Sequence, residues 1–506
     1  MFLENSFKTY FWQIFSFLIR IGSLFIITPF ISSNKELFGV YTLCISLTMM
    51  FNYIDFGFLR SASKFCSEKY SENNFNEEIT FLGFGSFMTI LFSVIIIALL
   101  ILFSIDPSLI VKGVSESNNL LEIKKLFLIL AISSPTYIFH RIIQVVYEIR
   151  IKSFLYNRVY IIVNSFNIIS AIYFFSGDNY NLIGYFITLQ ILNFLSLSIS
   201  IIDIGIRYKY PYLKFISALK FDIKIFNTTK KIALSSFLII TSWIIFMEID
   251  SLYISNKFGA EKLAIFSIAL TFFTIIRFVF STIFAPFTVR FNYHTNDLIY
   301  LNIFIKKTLL ILFPVFTIIC INFLSISENF ILSWVGDGYL ESSNISFLFV
   351  LSFIFSAISF VASAYLTTVQ DLKSLNIISF LQPVVFWVLV LVYSTFFLKL
   401  FNFVALKLAI IIFTDLILFL VLVKKVNLNI ITFLKTNLSN LLLPLILIAL
   451  FNYCFLHLLP FEKSKINLLL VISYFGVTSF IGLGSLILTS RNHQKIIFKL
   501  KNIFIN

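Results

Sequence analysis

Long apolar runs separated by short polar breaks occupy the chain from about residue 11 to residue 488. A helix needs about 20 apolar residues to cross a hydrocarbon core ~30 Å thick. Barrel strands would instead give ~10-residue segments of alternating polarity, and these runs are longer and unbroken. Helices satisfy every backbone group within the segment, as lipid requires. The breaks place spans near 11–31, 38–60, 80–104, 124–147, 154–176, 181–204, 231–254, 262–286, 303–324, 344–368, 374–398, 401–423, 438–459 and 466–488. The pattern predicts an all-α integral membrane protein of about fourteen transmembrane helices.

Composition agrees: 59% of residues are apolar and only 12% charged, with mean hydropathy +0.97. A globular domain carries roughly 25% charged residues, so this chain cannot cover itself with polar surface in water. The 66 phenylalanines accompany abundant Ile, Asn and Lys, which fits AT-rich coding better than an aromatic binding surface. Four cysteines and four histidines stand far apart, so neither a disulfide framework nor a metal site is expected. The first apolar run reads as an uncleaved span, not a signal peptide. No glycine precedes a lysine, which removes the phosphate-cradling P-loop; the DFG triplet at 55–57 lies within a span and is a chance match. Short external loops leave no room for an extramembrane catalytic domain, so uphill work would draw on an ion, the membrane potential or a downstream reaction.

The net charge of +14 is distributed by topology. With the N-terminus inside, roughly 25 cations fall on the cytoplasmic side and about nine on the other, as the positive-inside rule demands. Seven of the inner cations lie between Arg207 and Lys231, in a stretch with interleaved aromatics. Such a segment suits an anionic membrane surface, and no nucleic-acid partner is expected. A weak internal echo relates SIDPSLIVKG (104–113) to SISENFILSWVG (325–336), and IKS (151–153) to LKS (372–374). The organisation expected is an N-lobe over 1–204, a basic cytoplasmic linker over 205–230, a C-lobe over 231–423, and two further spans with a cytoplasmic tail over 424–506. Six spans per copy make the lobes parallel, and repeats of this kind favour transporters.

Ionisable residues inside spans cost at least ~2.5–3.5 kcal/mol and are functional hypotheses by default. Arg20 and Arg277 sit mid-span with no acid within a turn, Arg141 lies in the inner half of the fourth span and Lys407 in the twelfth. Arginine bonds two phosphate oxygens with one planar fork and stays charged. Four cations from spans 1, 4, 8 and 12 fit a wet cavity holding a pyrophosphate. The acids are Asp55, Asp203, Glu248, Asp250 and Asp415. Lys407 and Asp415, eight residues apart, either pair with each other or contact other spans. SISENFILSWVGDGYLESS (325–343) reads as an external loop whose Trp334 lies in the interfacial belt.

These residues carry a family resemblance. ELFGVYTLCISLTMMFNYIDFGFLRSASKFCSEKY (36–70), with Gly39, Tyr41, Asp55 and Gly57, resembles the polysaccharide flippases (Wzx-type) of the MATE-like superfamily of multidrug, oligosaccharidyl-lipid and polysaccharide exporters. IDSLYISNKFGAEKLAIFSIAL (249–270) and ILSWVGDGY (331–339) agree with it. The resemblance implies an undecaprenyl-diphosphate-linked oligosaccharide moved to the outer leaflet of the bacterial cytoplasmic (inner) membrane by alternating access. It implies Arg20, Arg141, Arg277 and Lys407 as the substrate-binding cations, with coupling to H+ or Na+ through Asp55 and Asp250 and no other cofactor. Spans 13 and 14 would hold the lipid tail. A polysaccharide polymerase and a chain-length regulator would be partners, besides membrane lipids. The rival readings are a multidrug or organic-cation antiporter, which calls for cavity acids and usually twelve spans, and a membrane polysaccharide polymerase, which calls for a large external loop.

Overall fold

The computed structural model describes residues 2–51, 53–113, 117–175, 180–293, 297–393, 399–459, 462–490 and 493–494. The first helices are α1 (Phe2–Ile31), α2 (Lys35–Met50), α3 (Phe58–Ser71), α4 (Phe75–Ile105), α5 (Ser117–Ile149), α6 (Ser153–Phe175), α7 (Leu182–Tyr208) and α8 (Tyr212–Ser217). Then come α9 (Ile223–Trp243), α10 (Ile249–Phe258), α11 (Ala260–Tyr293), α12 (Leu298–Val335), α13 (Glu341–Thr368), α14 (Leu372–Val392), α15 (Leu400–Val426), α16 (Ile430–Phe455) and α17 (Lys465–Thr489). Thirteen segments among the described residues are long and apolar enough to cross a membrane. The architecture is that of an all-α integral membrane protein.

The fourteenth expected span is the broken one. Residues 38–60 read as one apolar run, but α2 has only 16 residues and the chain turns before α3. Phe56 and Gly57 take left-handed backbone, φ 43° and 83°. Gly57 is needed twice over, because a methyl there would also overlap the Ser236 side chain of α9. Asp55 is the other half of the device. Its carbonyl accepts the Phe58 amide at 2.8 Å and its carboxylate accepts the Arg60 amide at 3.1 Å, satisfying donors that the new helix end leaves orphaned. Elsewhere the polar breaks start helices in the same way: Asn34, Asn74, Asn181, Asp297 and Asn429 each cap the helix that follows.

The chain divides into two compact units, Met1–Ala264 and Ile265–Asn506. In the first, Phe84, Met88 and Ile225 form a buried cluster joined by Phe58, Phe81 and Phe226. The seventh span, α9 and α10 joined by one widened helical turn over 244–248, packs here. Ser46 of α2 meets Ser251 of α10 at 3.0 Å, and the Lys112 amide donates to the Ser255 carbonyl at 3.2 Å. The expected linker is largely helical: it holds the end of α7, all of α8 and the start of α9. Ala218, just after α8, approaches α4 so closely at Gly83 that a methyl would overlap its carbonyl.

In the second unit, Ile318, Leu441, Ile448 and Leu486 bury α16 and α17 against α12. A polar seam fixes the register. Asn322 of α12 donates to Thr478 and Ser479 of α17, both at 2.8 Å. Asn452 of α16 donates to Ser325 of α12 and accepts from Tyr474 of α17, again at 2.8 Å. The external loop expected from residue 325 begins eleven residues later, because α12 continues to Val335. Ile326, Phe330, Ile331 and Trp334 form a buried stripe at helical spacing, and polar Ser325, Glu328 and Asn329 ride on the same helix. Trp334 is therefore a core residue, packed on Phe272 and Phe330, not a belt residue.

The internal echo has a counterpart in the turns. Left-handed residues follow α5 and α13 at Ile151 and Gln370, and follow α7 and α15 at Lys209 and Asn427. The fourth and tenth spans, and the sixth and twelfth, end alike.

Candidate functional site

Arg20 lies on the exposed face of α1 and forms no ion pair among the described residues. By helical spacing its neighbours on that face are Ser16 and the exposed Gln13, one and two turns back, whereas the exposed Phe11, Ile14, Phe15 and Leu18 lie on the opposite side of α1. A guanidinium there requires water or an anion. Arg141 is half-buried on α5, where it donates to Gln144 at 3.4 Å, and Gln144 donates onward to Glu148 at 3.0 Å. Beside this chain His140 bonds the Asn193 carbonyl of α7 at 3.0 Å and Tyr156 of α6 at 3.2 Å. Tyr137 donates to Gln190 at 2.8 Å. A polar track thus runs through α5, α6 and α7 of the first unit.

Asp55 and Asp250, the expected ion-coupling acids, are both buried. Asp55 is engaged as the helix cap described above. Asp250 follows the widened turn of the seventh span, next to the Ser251 that meets Ser46. Wide turns of this kind recur at functional sites. Asp203 belongs to the helix end: Arg207 donates to it at 2.7 Å and Tyr147 at 2.9 Å.

In the second unit, Arg277 is half-buried on α11 with its guanidinium 5.9 Å from the centroid of the Phe360 ring. Lys407 of α15 is 1% exposed, and its ammonium stands 5.4 Å from the Phe386 ring centroid. Asp415, on the same helix, does not pair with it. The Asp415 carboxylate accepts the Ser356 hydroxyl of α13 at 2.6 Å. Thr414 beside it accepts from Gln382 of α14 at 2.9 Å. Of the two alternatives for this pair, contact with other spans is the one the packing takes.

One charged group lay outside the sequence expectations. Arg150, at the end of α5, pairs with Glu78 of α4 at 2.9 Å, with side chains 5% and 1% exposed. The rings of Tyr70, Tyr208 and Tyr210 surround the guanidinium at 5.0, 5.2 and 5.5 Å, a cation–π cage. Burial pushes the Tyr210 phenol and the neighbouring Cys66 thiol well up from their ordinary values, so both stay neutral. Glu78 is 72 residues from Arg150 in sequence, and a cation at a cytoplasmic span end reads as topology alone.

No protein-family model matches the chain, and no curated protein matches it in sequence. Solved structures do. The lipid II flippase MurJ in an inward closed conformation superposes with a TM-score of 0.68 at 20% identity, covering 98% of this chain and 100% of that one. An inward-facing multidrug resistance MATE family transporter of the MOP superfamily gives 0.59 at 11% identity, over 80% of this chain and 98% of its own. The eukaryotic MATE transporter AtDTX14 gives 0.55 at 12%, over 84% and 98%. The chain therefore has the fold of the lipid II flippase structure over 98% of its length and shares that of the MATE transporters over 80–84% of it, the fold of transporters of the MOP superfamily.

Proposed function

We propose that the protein is a flippase that moves an undecaprenyl-diphosphate-linked oligosaccharide from the inner to the outer leaflet of the bacterial cytoplasmic membrane by alternating access. The observation that carries this reading is the reach of the structural likeness. The match to a lipid-linked-substrate flippase takes in 98% of this chain, α16 and α17 included, whereas the MATE matches reported above take in 80% and 84%. The charges favour the same direction. Each unit carries an arginine within a span, Arg20 and Arg277, suited to an anionic head group and not to an organic cation. Arg141 and Lys407 serve the same head group or its glycan in this reading, Asp55 and Asp250 the coupling ion, and the repeat unit passes to a polymerase afterwards. Complementation of a flippase-null strain tests it. Charge reversal at Arg20 or Arg277 is expected to abolish complementation at normal membrane abundance. Full complementation by those variants would remove the role given to the two arginines, and toxic-cation resistance without complementation would decide for the multidrug antiporter.

A further inference from the structure

Asp415 stands midway along α15 and is 8% exposed. What faces it is neutral. Ser356 donates its hydroxyl to the carboxylate at 2.6 Å, and Ser359, one turn on along α13, places a second hydroxyl nearby, which donates to the Ser356 carbonyl at 3.1 Å. From α14, Gln382 is committed to Thr414, whose own hydroxyl donates to the Ile410 and Ile411 carbonyls at 2.9 Å. The charges on the packed helices sit away from it. Lys407 is eight residues off, about 12 Å along the axis, and the Lys425–Asp371 pair closes on itself at the helix end. Glu341 of α13, Lys373 of α14, and Lys306, Lys307 and Glu328 of α12 form no ion pair with Asp415 among the described residues. Hydroxyl donors alone do not compensate an ionised carboxylate inside a membrane protein. Sodium would need several further oxygens, and the hydroxyl of the adjoining Thr414 already accepts one bond and donates to the carbonyls of its own helix.

We propose that Asp415 is a proton-binding site of the second unit: the carboxyl carries its proton while Ser356 and Ser359 of α13 are packed against it. Loss of that proton leaves a charge that α13 and α15 can accommodate only by admitting water between them. The proton thereby becomes coupled to the packing of these two helices. Its role in driving transport rests on the flippase reading; the proton site itself rests on the contacts of Asp415.

The test uses the full-length protein in lipid nanodiscs. Infrared difference spectra of wild type against Asp415→Asn should show, at neutral pH, a protonated-carboxyl stretch that the variant lacks and that Ser356→Ala shifts. Identical spectra in that region from mildly acid to mildly alkaline pH overturn the proposal. A band that titrates with Na+ at constant pH overturns the proton in favour of the metal ion. Should Asp415→Asn fail to fold, wild type suffices: a hydrophobic carbodiimide, which reacts only with protonated carboxyls, should label the peptide containing Asp415, with labelling lost at alkaline pH. Absence of that label on folded protein overturns the site. A labelled Asp415 in a protein that flips no lipid removes the flippase reading and leaves the site standing. Flipping without label or band does the reverse.

Discussion

Two pairs of buried ionisable residues, one in each unit, behave in opposite ways. In the first, Glu78 and Arg150 meet directly at 2.9 Å inside a ring of three tyrosines. In the second, Lys407 and Asp415 are comparably buried on one helix and do not meet. A closed pair has used its electrostatic capacity on itself and can only hold structure. An acid such as Asp415, met only by neutral groups in low dielectric, retains its demand for a proton or water. That distinction separates the closed pair at the end of α5 from Asp415, which is met by the Ser356 hydroxyl and by no counter-charge among the described residues.

Breaking the closed pair should have the largest effect on stability. Removing one partner, as in Glu78→Ala or Arg150→Ala, is expected to cost about 3–5 kcal/mol by leaving its partner uncompensated. The double replacement Glu78→Leu with Arg150→Leu should recover much of that loss. Chemical unfolding of the purified protein reads both; singles as stable as wild type would contradict the closed-pair account. Next comes the polar seam of α12, α16 and α17, where Asn322→Leu should cost roughly 0.6–1.7 kcal/mol, the range of hydrogen bonds between membrane helices. A double-mutant cycle on Lys407→Met and Asp415→Asn sharpens the comparison: their coupling should fall within about 0.3–0.5 kcal/mol of zero, against a large coupling for Glu78 with Arg150. A large coupling between Lys407 and Asp415 would erase the contrast. Smallest of all is Lys69, whose ammonium is held up by Glu77 and Glu72 on the open surface; Lys69→Ala should leave the melting temperature unchanged.

Most of the span plan was legible because lipid imposes one length and one periodicity on every helix that crosses it. The errors came where polarity and burial part company. The run 38–60 is apolar throughout, so hydropathy alone cannot see the break; the Asp55-x-Gly57 triplet is the local signal, a cap followed by a left-handed residue. Ser325, Glu328 and Asn329 look like loop, yet Ile326, Phe330, Ile331 and Trp334 keep a buried helical stripe beneath them. At the candidate site the sequence supplied the residues without their partners. That Asp415 answers to Ser356 and not to Lys407 depends on which helix packs beside α15, and that information is tertiary. Arg150 and Glu78 are further removed still, since neither has any local feature to set it apart from the other charges at span ends.

If span-embedded arginines carry a lipid-linked diphosphate, transfer in purified vesicles must depend on them. Full-length protein in proteoliposomes should move a fluorescent undecaprenyl-diphosphate oligosaccharide between leaflets. The double variant Arg20→Ala with Arg277→Ala should slow this by about tenfold or more, since each charge-assisted hydrogen bond to the head group is worth ~1.5–3 kcal/mol. Transfer by the folded double variant at the wild-type rate would contradict the account.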